Sequence, residues 1–120
     1  MGLVRDQCIF MIQVADLIRK AADLGLVITA GEMYRTSEQQ AIYVRTGRSK
    51  TMDSQHLKRL AIDLNFFEAA PDGTLRVVYY TPAICSLGAY WESLDPANRG
   101  GGNWTSFRDV PHFERREGVA

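Results

Sequence analysis

The sequence predicts an α+β fold, a small single domain over residues 1–120 with helices flanking a mostly antiparallel sheet. Three observations lead there. Helical and strand patterns are mixed along the chain. The clearest alternating strand runs into a tight-turn sequence, which sends the chain back antiparallel. The 120 residues, 46% hydrophobic and 23% charged, suffice for one core, with no repeat, low-complexity tract or linker to divide them.

Each element has a local reason. Residues 6–24 are expected to be helical: Cys8, Met11, Ile12, Ala15, Ile18 and Ala22 recur at helical spacing, and Gln13, Asp16, Lys20 and Asp23 take the other face. Gly25 is a natural stop. Residues 26–29 read as a short buried strand. Thr36 as N-cap, with Gln39 reaching back, fits a capping box, so a second helix runs to about Arg45. Residues 46–53 are polar, contain Gly47 and read as a loop.

Residues 60–67 read as a strand, with Leu60, Ile62, Leu64 and Phe66 on one face and Ala61, Asp63 and Asn65 on the other. Pro71-Asp72-Gly73 is a turn, and residues 74–80 return as the second arm of a hairpin. Thr81 is an N-cap with Pro82 at the first helical position, opening a helix to about Leu94. Residues 95–103, with Gly100-Gly101-Gly102, are expected to be loop. Phe113 and its neighbours close the fold as a final short strand.

Fourteen basic residues balance fourteen acidic ones, so no overall field would hold a nucleic acid. Cys8 and Cys85 are too few for a disulfide scaffold or a thiolate cluster and are expected to be buried free thiols. No apolar run is long enough to span a membrane. Asp6, Gln7, Gln13 and Asp16 interrupt the first twenty residues, unlike a secretory leader. A protein kept soluble in the cytoplasm, or exported by other means, is expected, and a monomer.

Chemistry concentrates around the only two histidines, His56 and His112. Asp63 follows His56 by seven residues, and Asp109 precedes His112 by three. Two imidazoles and a carboxylate, with a second acid close by, suit a hydrolytic zinc centre. On one strand, an odd offset would put His56 and Asp63 on opposite faces. On one helix they would stand about 10 Å apart along the axis. Sharing an ion therefore requires a bend, with His56 in a loop feeding the strand of Asp63. Small Ala61 beside Asp63 leaves room for the ion. Pro111 disfavours helix at Val110, so Asp109 and His112 ride an extended or turning segment. His56, Asp63 and His112 would then bind zinc, with Asp109 beside the fourth position as base.

Other readings compete with this one. Two histidines and a carboxylate also form the facial triad of ferrous oxygenases, but a close His-x-Asp pair is absent and the chain is short for such a barrel. A binding module without chemistry is a third class. Arg35 alone could be a surface arginine. Trp91 and Trp104 fit packing beneath a site better than sugar platforms. Arg45, Arg48, Lys50, Lys58 and Arg59 make the middle of the chain locally basic, which a solvated loop would explain.

Ser54-x-His56 with Asp63, and Ala61 two before that aspartate, resembles the signature of the zinc D-alanyl-D-alanine carboxypeptidase and L-alanyl-D-glutamate endopeptidase family, which includes VanY-type enzymes and phage endolysins. The run Tyr34-Arg35-Thr36-Ser37-Glu38-Gln39-Gln40 is similar to the family's upstream arginine segment. Residues 87–92, 101–107 and 109–113 resemble the C-terminal half of its small phage members. The resemblance implies His56, Asp63 and His112 as zinc ligands and Asp109 as general base. It implies Arg35 on the oxyanion or substrate carbonyl, and Ser54 on substrate or in the site's hydrogen-bond network. It further implies the small α+β fold shared with Hedgehog-type domains. Many carboxypeptidase members carry glutamate where this chain has Asp109, and aspartate looks like the endolysin branch. The expected activity is therefore L-alanyl-D-glutamate endopeptidase on the peptidoglycan stem peptide. A D-alanyl-D-alanine carboxypeptidase or a catalytically weak wall-binding relative are the alternatives. The chain also lacks a tryptophan expected just before the paired glycines. Under this resemblance the protein waits in the cytoplasm for release to the cell wall, and the basic mid-chain could face anionic wall peptide.

Overall fold

The computed structural model describes residues 2–103 and 109–118. Helices α1 (Gly2–Asp23), α2 (Ser37–Arg45) and α3 (Pro82–Leu94) are interspersed with β1 (Val27–Ala30), β2 (Ala61–Ala69), β3 (Leu75–Val78), β4 (Asn98–Gly100) and β5 (His112–Arg115). The strand order is β1-β2-β5-β4, and β3 also pairs with β2. All these pairings are antiparallel, which gives the predicted α+β class.

β2 organises the sheet. Its residues 61–63 pair with β5, residues 64–67 with β1 and residues 66–69 with β3. Its alternation is as expected: Leu60, Ile62, Leu64 and Phe66 are all at most 5% exposed, whereas Asp63 is half-buried and Asn65 exposed. The apolar face meets α1 and α3 around Trp91, Phe10 and Phe113, whose rings stack edge to face at 5.6 and 6.3 Å between centroids. The Trp91 indole N–H donates to the Glu114 carbonyl at 3.0 Å, so the core anchors β5 directly.

Both N-caps follow the sequence, and of the box expected at Thr36 the half in which Thr36 accepts is formed. Thr36 Oγ1 accepts from the Gln39 N–H, and Thr81 Oγ1 accepts from the Ile84 N–H with Pro82 at the helix start. Gly25, at φ +78°, ends α1 in a Schellman motif: the Leu26 N–H reaches Ala21 O and the Gly25 N–H reaches Ala22 O.

Four expectations need correction. The core face of α1 is Asp6, Phe10, Val14, Leu17 and Ala21, while Met11, Ile12 and Ile18 are exposed. Two apolar stripes share the helical period, and packing selected the one that puts Phe10 on Trp91 and Asp6 on Arg115. Cys8 and Cys85 are exposed rather than buried, because they lie on the outward faces of α1 and α3. The strand after Gly25 is largely exposed; only Leu26, just before it, is buried. It is an outer strand, paired among the described residues with β2 alone. Residues 95–103 are not all loop, since β4 and a 3-10 turn (Gly101–Asn103) lie within them. Three residues ending in glycine carry no readable alternation; pairing with β5 creates that strand.

Candidate metal centre and catalytic cleft

Three separate segments bring the candidate ligands together. Asp63 on β2 and His112 on β5 are direct cross-strand partners. His56 sits on a 3-10 turn (Gln55–Lys58), capped by Ser54 Oγ accepting from the His56 N–H. Arg59, at φ 57°, lies in the left-handed region and turns the chain from His56 into β2. This is the bend that the seven-residue spacing requires.

His56 Nε2 lies 3.2 Å and His112 Nδ1 3.3 Å from the same oxygen, Asp63 Oδ1. Donor atoms of all three lie within 4.8 Å of one another. Two ligands, each about 2.1 Å from one tetrahedral ion, would stand about 3.4 Å apart. The donor set and its spacing therefore fit a metal ion.

The remaining ring nitrogens are fixed from outside. His56 Nδ1 is 2.8 Å from Met33 O, a pure acceptor, so the proton sits on Nδ1 and the lone pair on Nε2. Nε2 is buried and makes no hydrogen bond among the described residues. His112 donates from Nε2 to Glu114 Oε1 at 2.7 Å, which turns Nδ1 toward Asp63. Arg99 in turn holds Glu114 Oε2 through Nε and Nη2, at 3.0 and 2.5 Å. This is the carboxylate–histidine support typical of bound metals.

Electrostatics favour a cation here. Burial would raise the Asp63 carboxyl, but the imidazoles of His112 and His56 outweigh it and hold it at about 2. Burial would lower His112, yet the Asp63 and Glu114 carboxylates lift it to about 9. Two carboxylates around one imidazole thus stabilise positive charge at Nδ1, whether proton or metal. Asp109 is shifted the other way. Burial, together with the Asp63 charge, raises its carboxyl above the usual range against the pull of His112, His56 and Arg35. Its Oδ2 stands 3.9 Å from His112 Nδ1.

Arg35 is no loose surface arginine. Its side chain is 10% exposed, and Nη2 lies 4.0 Å from Asp63 Oδ2. Nε and Nη2 grip Glu32 Oε1, and Nη1 donates to Gln40 Oε1 at 2.7 Å and to Ser54 Oγ at 3.5 Å. The Tyr43 hydroxyl donates to the other Glu32 oxygen at 3.0 Å. All six residues singled out in the sequence therefore line one cleft of about 610 Å³. Trp91 is fully buried in the core, as expected of a packing residue, and Trp104 lies outside the described residues.

Sequence reasoning missed Glu114, Glu32 and Arg99. Glu114 had a readable signal, since residues two apart on a strand share a face and His112 starts β5. Arg99 had none, because only the folded chain sets it beside Glu114; Glu32 stands three residues before Arg35, but no regular element there marks the pair.

Comparison with known proteins identifies a family and relatives. A family described as D-alanyl-D-alanine carboxypeptidase matches residues 47–115. The chain is similar to the L-alanyl-D-glutamate peptidase of Listeria phage A118, being 33% identical over 98 residues. That match takes in 75% of this chain but 31% of the phage protein, so the chain spans less than a third of that relative. Its fold is similar to that of the L-Ala D-Glu endopeptidase ChiX of Serratia marcescens, with a TM-score of 0.62 and 24% identity over 82% of this chain and 74% of that one.

Proposed function

The chain belongs to the D-alanyl-D-alanine carboxypeptidase family, and on that premise we propose that it is a zinc peptidase cutting the L-alanyl–D-glutamyl bond in the stem peptide of bacterial peptidoglycan. The supporting observation is the convergence of His56, Asp63 and His112, each imidazole oriented by an acceptor on its far nitrogen. The named activities of the phage and Serratia proteins favour this bond. In this reading the protein reaches its substrate after release from the cytoplasm; no helix among the described residues is long and apolar enough to cross a membrane.

His56 Nε2, Asp63 and His112 Nδ1 would hold the zinc, which supplies a Lewis acid and brings the acidity of bound water close to neutral pH. Asp109 takes the proton of the attacking water and passes it to the leaving amine, a role that suits a carboxyl raised by burial. Arg35, immobilised by Glu32 and Gln40, faces the carbonyl oxygen as negative charge develops. Ser54 supports Arg35 and caps the turn that aims His56.

Mass spectrometry of peptidoglycan digested by the zinc-loaded protein tests this reading. The expected products are a stem peptide with a new D-glutamyl amine and a wall fragment ending in L-alanine. Release of free D-alanine instead would establish the second reading, a D-alanyl-D-alanine carboxypeptidase, which the family description favours. Wall binding with no new amine would reduce the protein to a binding module.

A further inference from the structure

We propose that Arg48 receives the free carboxylate of the D-glutamyl residue beside the scissile bond and makes the enzyme select acidic over amidated stem peptides. This rests on the L-alanyl–D-glutamyl reading above. Whichever of its carboxyls carries the onward peptide bond, a D-glutamyl residue keeps another as an anion near the scissile nitrogen. The cleft is rich in carboxylates, since Glu32, Asp53, Asp63, Asp109 and Glu114 all line it. A compensating cation has to lie where the anion lies.

Three arginines line the cleft among the described residues: Arg35, Arg48 and Arg99. Arg35 is paired with Glu32, and Arg99 with Glu114. Arg48 makes no ion pair with any described carboxylate; its guanidinium lies 5.6 Å from the centre of the Tyr43 ring. A guanidinium resting on an aromatic face keeps its N–H fork free for a carboxylate.

The loop that carries Arg48 is built rather than slack. Gly47, at φ +81°, turns the chain after α2, and the Arg48 and Ser49 N–H groups both return to Tyr43 O, at 2.8 and 3.1 Å. The fully buried Gln40 donates to Ser49 Oγ at 2.9 Å and to Thr51 O at 2.6 Å while accepting from Arg35. One side chain thus ties the Arg48 loop to the arginine beside Asp63. Tyr43 makes a second tie, since the Arg35 guanidinium also lies over its ring, at 4.6 Å.

The test is steady-state hydrolysis of two soluble stem peptides, one with the free D-glutamyl carboxylate and one with that group as a carboxamide. The zinc-loaded wild-type protein should prefer the acid in kcat/KM by about ten- to a hundredfold, the range of one charge-assisted contact. Arg48→Gln should raise KM for the acid, leave the amide nearly unchanged and bring the preference close to unity, while Arg48→Lys retains part of it. An unchanged preference in Arg48→Gln, or an equal loss on both peptides, overturns the inference and leaves the endopeptidase assignment standing. Wild-type protein that cleaves neither peptide removes that assignment and this inference with it.

Discussion

The two nitrogens of His112 do different work. Nε2 is committed to Glu114, and Nδ1 faces Asp63 and Asp109. Nε2 is thus the anchor and Nδ1 the atom offered to a metal, with Asp63 placed to share that metal and Asp109 close enough to move a proton. His56→Ala should therefore lose zinc and activity together. Asp109→Asn should keep one zinc per chain, measured by metal analysis, while kcat falls by about a hundred- to ten-thousandfold. Turnover of stem peptide at the parental rate by Asp109→Asn would remove Asp109 from the mechanism. At this scale the sequence was informative where chemistry demands a residue type. Histidines are scarce here, and Pro111 restricts the backbone before His112, so the candidates stood out. The acids that support them look like any other glutamate, and only Glu114 could be placed, by strand alternation.

At the level of elements, the centre depends on two segments packed without space between them. A Cβ on Gly101 would collide with the Asp109 carbonyl oxygen and lie 2.9 Å from His112 Cβ. Asp109 also donates its N–H to Gly101 O at 2.9 Å. The 3-10 turn after β4 is thus the surface against which the Asp109–His112 segment is set. Gly101→Ala should push that segment outward, and a displacement of about 1 Å costs about a hundredfold in rate. The neighbouring Gly102→Ala meets no described atom closer than 3.6 Å and should stay active. Equal activity in the two alanine variants would show that the turn does not set the site. The three glycines were visible in the sequence, but not which one lies under the Asp109–His112 segment. The helices were readable at their ends, where Thr36, Thr81, Pro82 and Gly25 act locally. The face of α1 was not, because two stripes with the same period differ only in what they meet.

Across the molecule, the two ends of the chain are joined through Arg115 on β5. Its Nε donates to Asp6 of α1 at 2.9 Å, and Nη1 lies 2.8 Å from Asp95 after α3. The Gly118 N–H, helped by Arg115, holds the Asp6 carboxyl below its usual range. Burial opposes the lowering of Asp95, but the Ala97 N–H and Arg115 prevail. Carboxyls depressed on folding stabilise the protein above the unfolded value of about 3.9, and that stability is lost as pH falls through their lower folded values. Thermal melts followed by circular dichroism should therefore be flat in this respect at neutral pH and drop below about pH 4. Asp6→Asn should melt a few degrees lower at pH 7 and show a shallower acid slope; an unchanged slope would mean that this cluster does not link pH to folding. The sequence by itself determined the α+β class, the helix ends apart from the start of α1, the alternation of β2 and the candidate ligands, because each follows from local backbone preference or from the chemistry of a scarce residue. Only the tertiary structure decided which stripe of α1 is buried, that residues 98–100 are a strand, and that Glu32 and Arg99 line the cleft. Those outcomes depend on contacts between residues distant in the chain, and no local pattern encodes which of several equivalent surfaces will meet.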